Sequence, residues 1–250
     1  MHVEVVTLFP ELIGEALRHG VVGRALARGL ARCGTEDPRA HTGDARGTVD
    51  DRPYGGGPGM VGNPQPWAAA IDAARARVGP QALRVHLSAQ GERFDQRCAR
   101  QLASGAGFVL VASRYEGLDE RVVESRIDRE LSLGDYVLSG GEFAALVVVD
   151  AVVRLLPGVL GDERSSVEES FSEDRLDWPH YTRPLEWEGR AVPSVLQEGN
   201  HALIRHWRLK QAVGRTWLRR PDLLARSGLS AEESEVLNEF LAEREVDAHG

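Results

Sequence analysis

Residues 108–112, FVLVA, form an unbroken apolar run closed by Ser113 and preceded by glycines at 105 and 107. A strand with no polar face has to be covered on both sides, which is the situation of an interior strand in a parallel sheet. Parallel neighbours cannot be joined by tight hairpins, so helices are expected between them. The surrounding sequence supplies that alternation. Strands are expected at His2–Leu8, Leu83–Leu87 and, more weakly, Ile127–Leu131. Helices are expected from Pro10 with closure at Gly20, then at Val22–Leu30, Trp67–Val78, Asp95–Ala103, Asp119–Glu124 and Glu142–Leu156. Strand alternating with helix reads as an α/β domain built on a parallel sheet. Asp44–Asn63, with glycines at 47, 55, 56, 57, 59 and 62, is too long and too glycine-rich for a plain connector.

Pro157-Gly158 ends this pattern. The acidic, polar stretch that follows reads as a linker, and beyond it the β signal vanishes. Helices are expected at His201–Val213, Pro221–Ala225 and Ala231–Arg244, the last opened by a capping box of Ser230 and Glu233. The division is residues 1–160, a linker over 161–174, and a helical domain over 175–250. No internal repeat is visible.

Composition removes several function classes. Cys33 and Cys98 are the only cysteines, which is neither a disulfide framework nor a zinc site. The histidines form no HxxxH or HExxH pair. No targeting segment is apparent, and the most apolar tract, Phe143–Leu156, carries Asp150 and Arg154 and is too short to span a bilayer. The expected location is cytoplasmic. The net charge of −8 argues against nucleic acid as a partner, but the charge is unevenly spread. Arg205, Arg208, Lys210, Arg215, Arg219 and Arg220 lie in a stretch without acids that also holds Trp207 and Trp217. Such a stretch suits RNA phosphates, with the tryptophans packing the helices; a solvated helix face is the plainer alternative.

Three turns carry the functional signal. Leu87–Gly91 and Ser113–Gly117 each follow a strand, and Leu133–Gly141 follows the weak one. Parallel strands place their carboxyl ends on one edge, and ligands of open α/β sheets bind there. Glycines at such turns let main-chain groups approach a ligand closely. None of the three has the spacing of a dinucleotide fingerprint or a Walker phosphate loop.

Taken together, DRPYGGGPGM (51–60), RYEGLDERV (114–122), GDYVLSGGE (134–142), PGVLG (157–161), PHYTRP (179–184), GNH (199–201) and GRTWLRRP (214–221) resemble the bacterial tRNA (guanine-N1)-methyltransferase family, in motif order and over nearly the whole chain. The resemblance implies a trefoil-knotted α/β fold of the SPOUT class, a homodimer with a shared active site, and a helical C-terminal domain that helps hold tRNA. It implies methyl transfer from S-adenosylmethionine to N1 of the guanosine at tRNA position 37, and Mg2+ dependence at a site the sequence does not reveal. Carried over residue by residue, the cofactor site comprises Leu87, Ser88, Ser113, Tyr115, Glu116, Gly117, Leu133, Gly134, Asp135, Tyr136, Val137, Leu138, Gly140 and Gly141.

The catalytic pair implied is Glu169, as the base that takes the guanine N1 proton, and Arg154, near guanine O6 or the base carboxylate. A salt bridge at the dimer interface is the alternative for Arg154. Glu169 stands where the family has aspartate, with Glu168 in reserve. Ala89 replaces a proline of the first turn, and Ser113 a glycine of the second. Two other functions share parts of this pattern: a knotted ribose 2′-O-methyltransferase, and a non-catalytic RNA-binding paralogue.

Overall fold

The computed structural model describes residues 1–161, 169–171 and 173–249. Two compact units divide the chain, Met1–Glu163 and Arg164–Gly250.

The first unit runs β1 (His2–Thr7), α1 (Pro10–Ala16), α2 (Gly20–Ala27), β2 (Arg32–Glu36), a 3-10 turn at Pro38–His41, β3 (Asp50–Asp51), β4 (Val61–Gly62) and α3 (Pro64–Val78). It continues with β5 (Leu83–Arg93), α4 (Gln96–Ala103), β6 (Gly107–Ala112), α5 (Glu120–Arg126), β7 (Arg129–Ser132) and α6 (Glu142–Val153). The main sheet has the order β2-β1-β6-β5-β7, and every pairing in it is parallel. The apolar run therefore lies in the middle strand. Phe108, Leu110 and Ala112 face a layer of α1, α2, α4 and α6, while Val109 and Val111 face α3 and α5. Each fully buried side chain of this kind contributes about 1.5–3 kcal/mol, so the two-sided burial explains why no polar residue interrupts the run.

Local signals place the helices. Pro10 and Pro64 occupy first-turn positions, where a missing N–H costs nothing. Asp95 accepts from the Cys98 N–H at 2.9 Å and Asp119 from the Arg121 N–H at 3.0 Å, capping α4 and α5. The glycine-rich loop is anchored rather than loose. The indole of Trp67, 2% exposed, donates to the Val49 carbonyl at 3.1 Å, and β3 pairs with β4 antiparallel.

Several expectations need correction. Gly20 does not close α1; that helix ends at Ala16, and Gly20, with φ +66°, turns the chain into α2. β2 was not foreseen, because RCGTE has no apolar periodicity; it is an edge strand held by main-chain pairing to β1. The turn expected at Ser88–Gly91 lies inside β5, which slips register between Leu87 and Glu92 and then pairs again with β7.

The second unit contains a hairpin of β8 (Glu186–Trp187) and β9 (Arg190–Ala191), so β structure does recur beyond residue 174, where two-residue strands leave no pattern to read. Three helices follow: α7 (His201–Arg219), α8 (Pro221–Ser227) and α9 (Ala231–His249). α7 runs well past Val213, because Gly214 lies against the ring of Phe240 and lets α9 approach. Val213, Val236 and Leu237 form the small core of this unit. The capping box is present: the Ser230 N–H donates to Glu233 at 2.7 Å, and the Glu233 N–H to Ser230 Oγ at 3.2 Å.

Candidate functional site

The carboxyl ends of β5, β6 and β7 lie side by side on one edge of the sheet. The three glycine-bearing segments gather there around a cavity of about 260 Å³. The second and third segments are stitched together: the Gly141 N–H donates to the Ser113 carbonyl at 2.9 Å, and Arg114 bridges Gly140. A Cβ at Gly141 would stand 2.7 Å from the Cα of Ala112, so only glycine permits this approach. The long loop joins the second segment as well, through Glu116 N–H to the Met60 carbonyl at 3.0 Å and Gly62 N–H to the Gly117 carbonyl at 2.9 Å. Asp50 of that loop borders a narrow crevice with Arg114, Tyr115 and Gly117.

Of the residues that the sequence points to, Leu87, Ser88, Ser113, Tyr115, Glu116, Gly117, Leu133, Gly134, Tyr136, Val137, Leu138, Gly140 and Gly141 all line this one cavity. Asp135 is the exception; it is exposed and not part of the lining. Tyr115 has φ +56°, a left-handed conformation that costs a non-glycine residue about 1–3 kcal/mol and collects at ligand clamps. Ser113 has no left-handed backbone, so it needs no glycine-like freedom there.

The lining also includes His86, and Glu142, outside the lining, holds one of its residues, Arg114; sequence reasoning gave neither a role. His86, 4% exposed, lies between Glu130 (Nδ1 to Oε2, 2.9 Å) and Ser113 (Nε2 to Oγ, 2.8 Å). Burial pushes the imidazole below its ordinary pKa, against the pull of the Glu130 carboxylate. Glu142, 1% exposed at the start of α6, accepts from Thr7 Oγ1 at 3.1 Å and Arg114 Nη1 at 3.3 Å. The sequence signal for His86 was a titratable residue in an apolar strand, whereas Glu142 closes the GDYVLSGGE motif. Among the described residues, the lining carries Glu116, Glu120 and Glu130 against one cation, Arg114, which is already paired with Glu142. A cationic ligand suits such a cavity better than a phosphate does.

The chain matches the family model described as tRNA (Guanine-1)-methyltransferase TrmD over residues 1–226. It is 56% identical over 246 residues to the tRNA (guanine-N(1)-)-methyltransferase of Methylococcus capsulatus, covering 98% of each chain. Proteins of the same name from Halorhodospira halophila (52% identical; 98% of this chain, 93% of the relative) and Salmonella schwarzengrund (51%; 100% and 98%) match as well. The chain belongs to this tRNA (guanine-1)-methyltransferase family.

The family resemblance singles out two further positions. Arg154 is the C-cap residue of α6 and is half-buried. Glu169 lies in the second unit, on a cavity of about 520 Å³ that it shares with Arg175, Trp178, His201, Arg205 and Arg208. Glu168, the reserve base, lies outside the described residues. Arg175 organises this side of the unit, pairing with Glu233 at 2.8 Å and donating to Ser227 Oγ at 2.6 Å and the Gly228 carbonyl at 2.7 Å.

The basic stretch proves partly neutralised. Lys210 pairs with Glu243 at 2.5 Å and Arg220 with Asp222 at 2.7 Å, while Arg208 stacks on Trp178 at 4.8 Å. Arg205, Arg215 and Arg219 form no ion pair with a described residue. Trp207 is half-buried and tilts against Tyr181, but Trp217 is 43% exposed, so it is not the helix-packing residue expected.

Proposed function

We infer that this methyltransferase moves a methyl group from S-adenosylmethionine to N1 of the guanosine at position 37 of tRNA. The observation that carries this reading is the convergence of three segments, an irregular stretch of β5 and two turns, into one acid-lined cavity at the sheet edge, in a chain of this family. The residues fit the donor. Three carboxylates suit its sulfonium, the exposed rings of Tyr115 and Tyr136 and the side chain of Val137 offer apolar surface for its adenine, and Gly117, at φ +97°, leaves open space that a side chain would fill. When bound, S-adenosylmethionine supplies an electrophilic methyl group.

The chain's own residues do the rest. Glu169 is the base that accepts the N1 proton, without which the guanine nitrogen is a poor nucleophile. Glutamate in place of aspartate adds about one ångström of reach, which the linker has to absorb. Arg154 places positive charge by guanine O6, where negative charge gathers as the proton leaves. The remaining parts of the reading are a trefoil knot around the cavity, a cofactor domain over 1–160, a linker over 161–174 and a tRNA-binding domain over 175–250, in a cytoplasmic homodimer whose subunits share each active site. Phe143 and Val147, exposed on the apolar helix α6, support a second copy packing there. Arg205, Arg215 and Arg219 are the cations offered to tRNA phosphates. No helix among the described residues is long and apolar enough to cross a membrane. Mg2+ dependence belongs to this reading through the family resemblance alone; no three His, Cys, Asp or Glu side chains converge among the described residues.

The test is methylation of tRNA transcripts with labelled donor. Transcripts with guanosine at position 37 should acquire 1-methylguanosine, and those with adenosine there should not. Label on a ribose 2′ oxygen would favour the knotted ribose methyltransferase, and binding without transfer the non-catalytic paralogue.

A further inference from the structure

The chain Glu130–His86–Ser113 forms part of the cavity wall, yet the reaction above gives it no task. An ionised carboxylate only accepts hydrogen bonds, so the His86 Nδ1 facing Glu130 at 2.9 Å carries the ring proton. In the neutral ring Nε2 is then an acceptor, and the Ser113 hydroxyl at 2.8 Å is its donor. Ser113 is 7% exposed and has a single proton to give. That proton being committed, only its oxygen lone pairs remain for a ligand.

We propose that His86 is a positioning residue that sets the hydrogen-bonding sense of Ser113, so that Ser113 accepts from, and does not donate to, the ligand of this cavity. The pair selects an N–H or O–H group at that point of the ligand. With S-adenosylmethionine, on which reading the ligand's identity rests, the candidates are the adenine amino group, the ribose hydroxyls and the ammonium.

Protonation reverses the relay: imidazolium Nε2–H takes a Ser113 lone pair and frees the hydroxyl proton. The groups bearing on this titration are Glu130 on β7 and Glu120 on α5, which favour the charged ring, opposed by burial between strands. Arg84, on the same strand, is occupied by Asp128 at 2.7 Å.

The test has two arms. Histidine 15N spectra of the ligand-free protein at about pH 7.5 should show the His86 Nδ1–H tautomer with Nε2 accepting. Titration with S-adenosylhomocysteine should give affinity that holds from about pH 8 down to about 6.5 and falls as pH is lowered further. Ser113→Ala should weaken binding about fivefold at the upper pH and flatten the profile. An Nε2–H tautomer, or a Ser113→Ala profile as steep as the parent's, overturns the proposal. If the parent protein fails to bind S-adenosylhomocysteine at every pH, the cofactor reading falls instead, and the spectra still decide the relay.

Discussion

Replacing Arg114 by alanine strips a buried carboxylate of its counter-ion. Glu142 is 1% exposed and has two side-chain partners, Arg114 at 3.3 Å and Thr7 at 3.1 Å. Breaking a buried pair by removing one member costs about 3–5 kcal/mol. Two features reduce that figure here. Glu142 is the first residue of α6, where a helix N-terminus favours a negative charge by about 0.3–1 kcal/mol. The Arg114 side chain is 25% exposed, so water screens part of the interaction. The expected loss is about 2–3 kcal/mol. Arg114 also stacks on Phe9 at 4.7 Å, a contact worth about 0.5–1 kcal/mol, for which Phe9→Leu is the control. The assay is urea unfolding followed by fluorine-labelled tryptophan, since Trp67 alone reports on residues 1–163. Adding Glu142→Gln to Arg114→Ala removes the stranded charge and should restore at least about 1 kcal/mol. A loss below about 1 kcal/mol for the single variant, or strict additivity in the double one, would refute the reasoning.

Gly141→Ala drives a methyl into the β6 backbone at Ala112; it should destabilise the first unit by about 1–3 kcal/mol and raise the Kd for S-adenosylhomocysteine more than about tenfold, both measurable in one titration series. Glu169→Gln should lower kcat by a factor of about 10²–10⁴ with cofactor Kd unchanged, and Glu169→Asp should recover most of the loss; equal kcat in the Gln variant sinks the base assignment. Stability should also depend on pH through two groups. His86 titrates below its ordinary 6.5 in the folded chain, so the unfolded chain takes the proton first and stability declines as pH falls below that value. Burial opposes ionisation of Glu36, but hydrogen bonds from His41 and Arg77 hold its carboxyl below the ordinary 4.5. That stabilisation is present above 4.5 and lost as pH falls through the folded value. Unfolding free energies across this range check both, with Glu36→Gln expected to flatten only the lower limb.

Legibility followed the range of the forces involved. Strands with apolar runs and helices with Pro or Asp at their starts were readable, because burial pattern and capping are local. β2 and the hairpin of β8 and β9 were not, since their pairing is main-chain to main-chain and leaves no trace in residue type. The length of α7 was misjudged at Gly214, which reads as a stop signal until Phe240 is seen against it. Within the cavity, the turn residues were legible from glycine content and family motif. Asp135, exposed and outside the lining, shows that a motif position does not by itself say where a side chain lies.

The sequence by itself determined a layered parallel sheet, its middle strand, two of the three turns and the family to which they belong. Only the tertiary structure decided that β5, β6 and β7 stand as neighbours, so that turns far apart along the chain close on one cavity. It alone joined His86 to Ser113, 27 residues away, and to Glu130, 44 away. Strand order and such buried polar pairs depend on which distant segments meet. That choice is made by the summed burial of the whole sheet, which no short stretch of residues encodes.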